Sequence, residues 1–131
     1  MSTTESIRPQ VSECHRLRTE VTSPPASGHA VLSVAGELDL AEVQTLRTAV
    51  ARCLDERPGR HLVLDVSALA FCDCSGMHAL RWTARQARAA GGDFSLRGAD
   101  ETLCRLFSLT GAYELLAAAG ATVEAAFAEA S

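Results

Sequence analysis

Apolar positions change period several times along the chain, and each change marks an element. Residues 1–13 show no sustained period and predict a flexible tail, which leaves 14–131 as one domain. "LRTEVTS" (17–23) mixes polar and apolar residues as an edge strand does, and "PPASG" (24–28) reads as a turn. "HAVLSVAG" (29–36) is rich in Val and Leu, so the two segments predict a hairpin. A helical period follows. Leu40, Val43, Leu46, Val50 and Cys53/Leu54 share a face, Asp39 stands at the N-cap, and Glu42 completes a capping-box pattern. Pro58-Gly59 closes that helix.

"HLVLDVS" (61–67) is a short continuous apolar run, the pattern of a strand covered on both faces. "ALAF" (68–71) leads into "CDCSG". A second helical pattern starts near Ser75 and stops at Gly91-Gly92, with an inner stripe of Leu80, Ala84, Ala87 and Ala90. "FSLR" (94–97) is another strand. "DETLCRLFSLTG" (100–111) predicts a helix capped by Asp100, lined inside by Leu103, Leu106 and Phe107, and ended by Gly111. "YELL" (113–116) reads as a short extended piece and "TVEAAFAEA" (122–130) as a final helix. This alternation predicts a single α/β domain. Its sheet is four- or five-stranded and mainly parallel, with an antiparallel edge hairpin, flanked by about four helices.

Composition narrows the function classes. An apolar fraction of 47% and a charged fraction of 21% belong to a globular chain. The net charge of -4 gives no support to nucleic acid or an anionic membrane as partner. All basic residues are Arg. No run of apolar residues is long enough to cross a membrane, and "MSTTESIRPQ" lacks the pattern of a secretory signal. Cys14, Cys53, Cys72, Cys74 and Cys104 are odd in number and scattered, which predicts reduced thiols in the cytoplasm.

The chemistry gathers in "FCDCSG" (71–76), where two thiols, a carboxylate and a hydroxyl share one chain reversal. A metal site is disfavoured, because Cys72 and Cys74 have one residue between them rather than two to four and no further ligand pair is evident; His78 alone is within reach. A serine nucleophile needs Gly on both sides of a strained turn, and Asp73 and Met77 occupy those positions. None of His15, His29, His61 and His78 lies in a late loop to act as base. Two readings stay open. Asp73, Cys74 or Ser75 caps the helix, or Ser75 is a phosphate acceptor at a helix N-terminus, where free N–H groups and the dipole stabilise a dianion. Gly76 would then let a kinase approach the backbone.

The following helix has an unusual outer face. His78, Trp82, Arg85 and Ala89 share one side, with Arg81 and Arg88 alongside. Trp and Arg are enriched in interface hot spots, so this face is a candidate docking surface. The alternative is that Trp82 folds over a neighbouring loop and the Arg residues are solvated.

"GELDLAEVQTLR", "HLVLDVSALAFCDCSGMHAL" and "GGDFSLRGADETLCRLFSLTGAYELL", in that order, resemble a STAS domain, and more closely the bacterial anti-sigma factor antagonists. The resemblance covers roughly residues 14–129. It implies a binding module and no enzyme, cofactor or metal. Unphosphorylated, such an antagonist binds an anti-sigma factor that is also a GHKL-type serine kinase, and sigma is released. The kinase phosphorylates the antagonist with ATP and the pair separates; a PP2C-type phosphatase resets it. The acceptor directly precedes the Gly, which places it at Ser75. The resemblance puts Asp39 and Asp73 on the partner-facing surface with Ser75; together with Cys74, Gly76, Met77 and His78 of the same turn and with Trp82 and Arg85 of the outer helix face, they make up the expected docking surface. Cys74 stands where Ser is common, and Met77 and His78 replace small or aliphatic residues. The alternative function is a stand-alone STAS scaffold or a module sensing a nucleotide or lipid.

Overall fold

Four strands pair side by side in chain order in the computed structural model, which describes residues 16–23 and 28–120. β1 (Leu17–Val21) runs antiparallel to β2 (His29–Leu38), while β3 (His61–Cys72) and β4 (Phe94–Arg97) continue the sheet in parallel. Between the strands come a 3-10 turn (Leu40–Glu42), α1 (Val43–Glu56) and α2 (Cys74–Ala89), and after β4 come α3 (Glu101–Thr110) and α4 (Tyr113–Ala118). The expected edge hairpin and mainly parallel sheet are present, with four strands rather than five among the described residues. The expected tail, most of the "PPASG" turn and the helix over 122–130 lie outside the described residues.

Alternate strand residues carry the core. Ala30, Leu32, Val34 and Leu38 on β2, Leu62, Leu64 and Val66 on β3, and Phe94 and Leu96 on β4 are all buried. The residues between them are half-buried or exposed. β3 was expected to be covered equally on both faces. It alternates instead, because α1, α2 and α4 reach the sheet with Leu46, Val50, Leu80, Ala84, Leu115 and Leu116 on the buried side. A one-residue slip of β3 would turn Leu62, Leu64 and Val66 outward and cost roughly 5–9 kcal/mol. That is comparable with the whole stability of a domain, so the register is fixed.

Three helix expectations change. Glu42 forms no capping box; it is 3% exposed, and its carboxylate accepts the Arg16 backbone N–H at 3.1 Å and the Thr45 hydroxyl at 3.2 Å. Leu40 is 75% exposed rather than inner, because the 3-10 turn advances about three residues per turn and shifts the phase of the period. Ala90 is exposed at the C-cap of α2, whose buried stripe instead includes Gly76, Met77, Ala79 and Thr83. "YELL" is helical. Ala112 accepts from the N–H groups of Leu115 and Leu116, and the alanines that follow favour continuing the turn. α3 matches its expectation: Asp100 accepts from Leu103 N–H at 2.9 Å, and Gly111 closes it in the left-handed region at φ 77°.

Candidate functional site

The parallel strands β2 and β3 end together at one pole, and both chain reversals there begin with an aspartate. Leu38 pairs with Cys72, so Asp39 and Asp73 follow at the same level of the sheet. Such carboxyl ends are where open α/β sheets place their working residues. β4 pairs only with Leu62–Asp65 of β3. The rest of β3 runs on beside a cavity of about 300 Å³, walled by Leu69 and Phe71 on the strand and Asp100, Leu103 and Leu106 on the α3 side. Phe71 is half-exposed there, one strand end away from the "CDCSG" reversal.

Asp73 is the cap of α2. Its backbone is extended at φ -104°, its carboxylate accepts the Gly76 N–H at 3.0 Å, and its carbonyl accepts Met77 N–H at 2.8 Å. Its own N–H bonds Leu38 O at 3.4 Å, which ties the cap to the end of β2. Cys74 and Ser75 are thus the first two helical residues, Cys74 exposed and Ser75 half-exposed. A hydroxyl at this position faces the positive end of the helix dipole, with a carboxylate two residues back.

Gly76 has a different reason from the one its sequence suggested. It is buried, and a Cβ on it would meet Leu38 O at 2.5 Å, Cys72 Sγ at 2.8 Å and Leu38 Cγ at 2.9 Å. Its missing side chain lets α2 sit against the end of β2 and leaves no approach for a kinase from that side. Met77 is also withdrawn from the surface. It is 2% exposed, and its sulfur lies 2.7 Å from the Thr110 hydroxyl of α3.

Asp39 occupies the parallel position after β2. One carboxylate oxygen accepts Ala41 N–H at 3.1 Å, and the other accepts Arg16 Nη2 at 2.7 Å. Arg16 Nη1 reaches Glu37 at 2.7 Å, so one guanidinium bridges two acids at the pole. Those carboxylates, Asp39 foremost, raise the Arg16 guanidinium above its ordinary value. Neither Arg16 nor Glu37 was legible as part of the site; a lone Arg before an edge strand carries no signal of its distant partners.

The outer face of α2 is only partly free. Trp82 is half-buried against the core, with the Arg47 guanidinium of α1 lying 5.0 Å from its ring centroid. Arg81 pairs with Glu114 of α4 at 2.6 Å. His78, Arg85 and Ala89 are exposed. Trp82 therefore also bridges α1 and α2, and of the candidates around Ser75, Cys74, His78 and Arg85 are exposed while Asp39 and Asp73 are half-buried; Leu40 and Phe71 are exposed apolar residues at the same strand ends.

The thiols differ in reactivity. Burial, with Asp73 adding to it, pushes the Cys72 thiol up to about 12. Cys53 is raised as well, chiefly by burial. At pH 8 Cys72 holds roughly a thousandfold less thiolate than an ordinary thiol. Mild iodoacetamide treatment is expected to label Cys74 and spare Cys72, as tandem mass spectrometry of the 71–81 region would read. Equal labelling would mean that α2 opens at its first turn.

Comparison with known proteins gives four concordant results. The model of the STAS domain family matches residues 20–130. An anti-sigma factor antagonist from Mycobacterium paratuberculosis is 28% identical, with a TM-score of 0.63 over 75% of this chain and 80% of that one. A STAS-domain antisigma-factor antagonist from Rhodobacter sphaeroides (23% identical, TM-score 0.52, covering 63% of this chain and 86% of that one) and the unphosphorylated antagonist SpoIIAA (20%, 0.58, covering 72% and 81%) share the fold.

Proposed function

Because the chain belongs to the STAS domain family, we propose that it is an anti-sigma factor antagonist whose binding is switched by phosphorylation of Ser75. With Ser75 bare, the pole formed by Asp39, Asp73, Cys74 and Ser75 docks an anti-sigma factor that is also a GHKL-type serine kinase, and sigma is freed. The kinase then transfers the γ-phosphoryl group of ATP to Ser75 Oγ. ADP leaves, the hydroxyl proton passes to solvent or a kinase base, and the pair separates. A PP2C-type phosphatase hydrolyses the ester and restores the hydroxyl. The protein is a substrate in this cycle and not its catalyst.

The observation that carries this reading is the placement of Ser75. It is half-exposed in the first turn of a helix whose cap, Asp73, is already satisfied by Gly76 N–H. A phosphate of about -1.5 to -2 charges is therefore accommodated by the free protein, next to a helix N-terminus. The likeness to the Mycobacterium paratuberculosis antagonist supports the choice of partner class. Incubation with an anti-sigma kinase and ATP, followed by phosphosite mapping, is expected to place a single phosphate on Ser75. A phosphate elsewhere with Ser75 bare refutes the assignment.

A further inference from the structure

β3 has a free edge that the switch does not use. Its ladder to β4 stops at Asp65, while its ladder to β2 runs on to Cys72. Among the described residues no further backbone bond joins 67–71 to β4 or to α3. Backbone groups of alternate strand residues point to opposite edges, so about half of those in this stretch face outward without a ladder partner. Natural sheets blunt such edges with charge or Pro. Ser67, Ala68, Leu69, Ala70 and Phe71 supply neither, and Phe71 is 50% exposed.

The cavity of about 300 Å³ lies along this edge. Leu69, Ala70, Phe71 and Cys72 all line it, and Leu103 and Leu106 of α3 face them. Successive side chains of a strand point to opposite faces, so consecutive residues wall one cavity only where it follows the strand's edge. We propose that the edge binds an extended, basic segment of a protein partner by strand addition, with one apolar side chain of the segment seated in the cavity. Main-chain hydrogen bonds hold such a segment, and the pocket selects its side chain.

Charge chooses the occupant. Among the described residues that line the cavity, Asp100 alone is charged. Its Oδ1 takes the Leu103 N–H, and its Oδ2 has no partner among the described residues. Glu101, beside it, is exposed. An Arg or Lys next to the apolar anchor of the segment meets these carboxylates. A second copy of this chain would instead bring the same acidic rim and a net charge of -4 to the edge. The proposal does not rest on phosphorylation of Ser75.

Amide NMR of the isotope-labelled full-length protein tests the site. The probe is a capped peptide of about six residues, with a central Phe flanked by Arg. The amides of Leu69, Ala70 and Phe71 are expected to shift together with those of Thr102 and Leu103, and to saturate. Replacing Arg by Glu in the peptide should weaken binding roughly threefold or more. Asp100→Asn, which keeps a capping side chain and removes the charge, should abolish that preference. Phe71→Ser, at an exposed position, should weaken both peptides roughly tenfold. Two further peptides, N-methylated on alternate residues in the two possible phases, probe the main-chain bonds without altering the protein, and one of them should fail to bind. Equal binding of both, shifts confined to other strands, or no shift at all overturns the proposal. So does a concentration-dependent shift of the same amides without peptide, which would show that a second copy covers the edge.

Discussion

Ser75→Ala is expected to stay bound to the anti-sigma kinase in the presence of ATP, under conditions that dissociate the unmodified protein. The phosphate is the whole of the difference. In the free protein it sits beside solvent and the N-terminus of α2. In the complex the partner would strip that solvent and leave the phosphate next to the Asp73 carboxylate. Like charges forced together in an interface cost several kcal/mol. Phosphorylation should therefore weaken binding at least a hundredfold, about 2.7 kcal/mol. Ser75→Glu carries one charge on a shorter acid and should weaken it roughly tenfold. The alanine variant removes only a half-exposed hydroxyl at a position where Asp73 supplies the cap, so its melting temperature should be little changed. Calorimetry against the unmodified partner, with and without ATP, reads all three proteins. An alanine variant released by ATP as fast as the parent would end the proposal.

Gly76→Ala is expected to be destabilising, against the usual preference of helices for alanine. Helix propensity alone would favour the change by about 1 kcal/mol. The added Cβ, however, falls 2.5 Å from the Leu38 carbonyl oxygen, a backbone atom held in the β2–β3 ladder. It also meets Cys72 Sγ at 2.8 Å. Over-packing of this kind costs typically about 1–3 kcal/mol, and here α2 must move away from β2 to relieve it. Set against the propensity gain, a net loss of about 1–2 kcal/mol would lower the melting temperature by roughly 3–10 °C. Hydrogen exchange should locate the damage at the amides of Gly76 and Met77, which bond Asp73. Kinase affinity should fall as well, because Ser75 rides on the same turn. An unchanged melting curve would mean that the end of β2 yields freely.

The two variants separate the two demands on one hexapeptide. In the proposed switch Ser75 serves the partner, whereas Gly76 serves the fold. They are neighbours because a helix that starts hard against a strand end exposes its first residues on one side and buries the next on the other. Met77 follows Gly76 inward, while His78 returns to the surface. A partner that reads this pole therefore contacts alternating fragments of the motif, joined by Asp39 from the other strand end.

Local rules were enough for much of this. The alternation of strand and helix, the cap at Asp100, the left-handed stop at Gly111 and the inward Leu103 and Phe107 depend on residues within one or two turns of each other; for α2 the same rules left Asp73, Cys74 and Ser75 as alternative caps, and the structure has Asp73. The sequence alone therefore determined the α/β order, the mainly parallel sheet and the position of Ser75 at the start of a helix. What it could not determine are contacts between residues far apart in the chain. Arg16 reaches Asp39 across the sheet edge, and Glu42 turns back to Arg16 rather than to its own cap. Arg47 covers Trp82, and Arg81 is taken by Glu114. Gly76 is glycine because of Leu38. Each of these depends on the register of β2 against β3 and on how α1 and α2 lie against each other. Those are fixed by burying the whole set of core side chains at once, a condition that no short window of sequence contains.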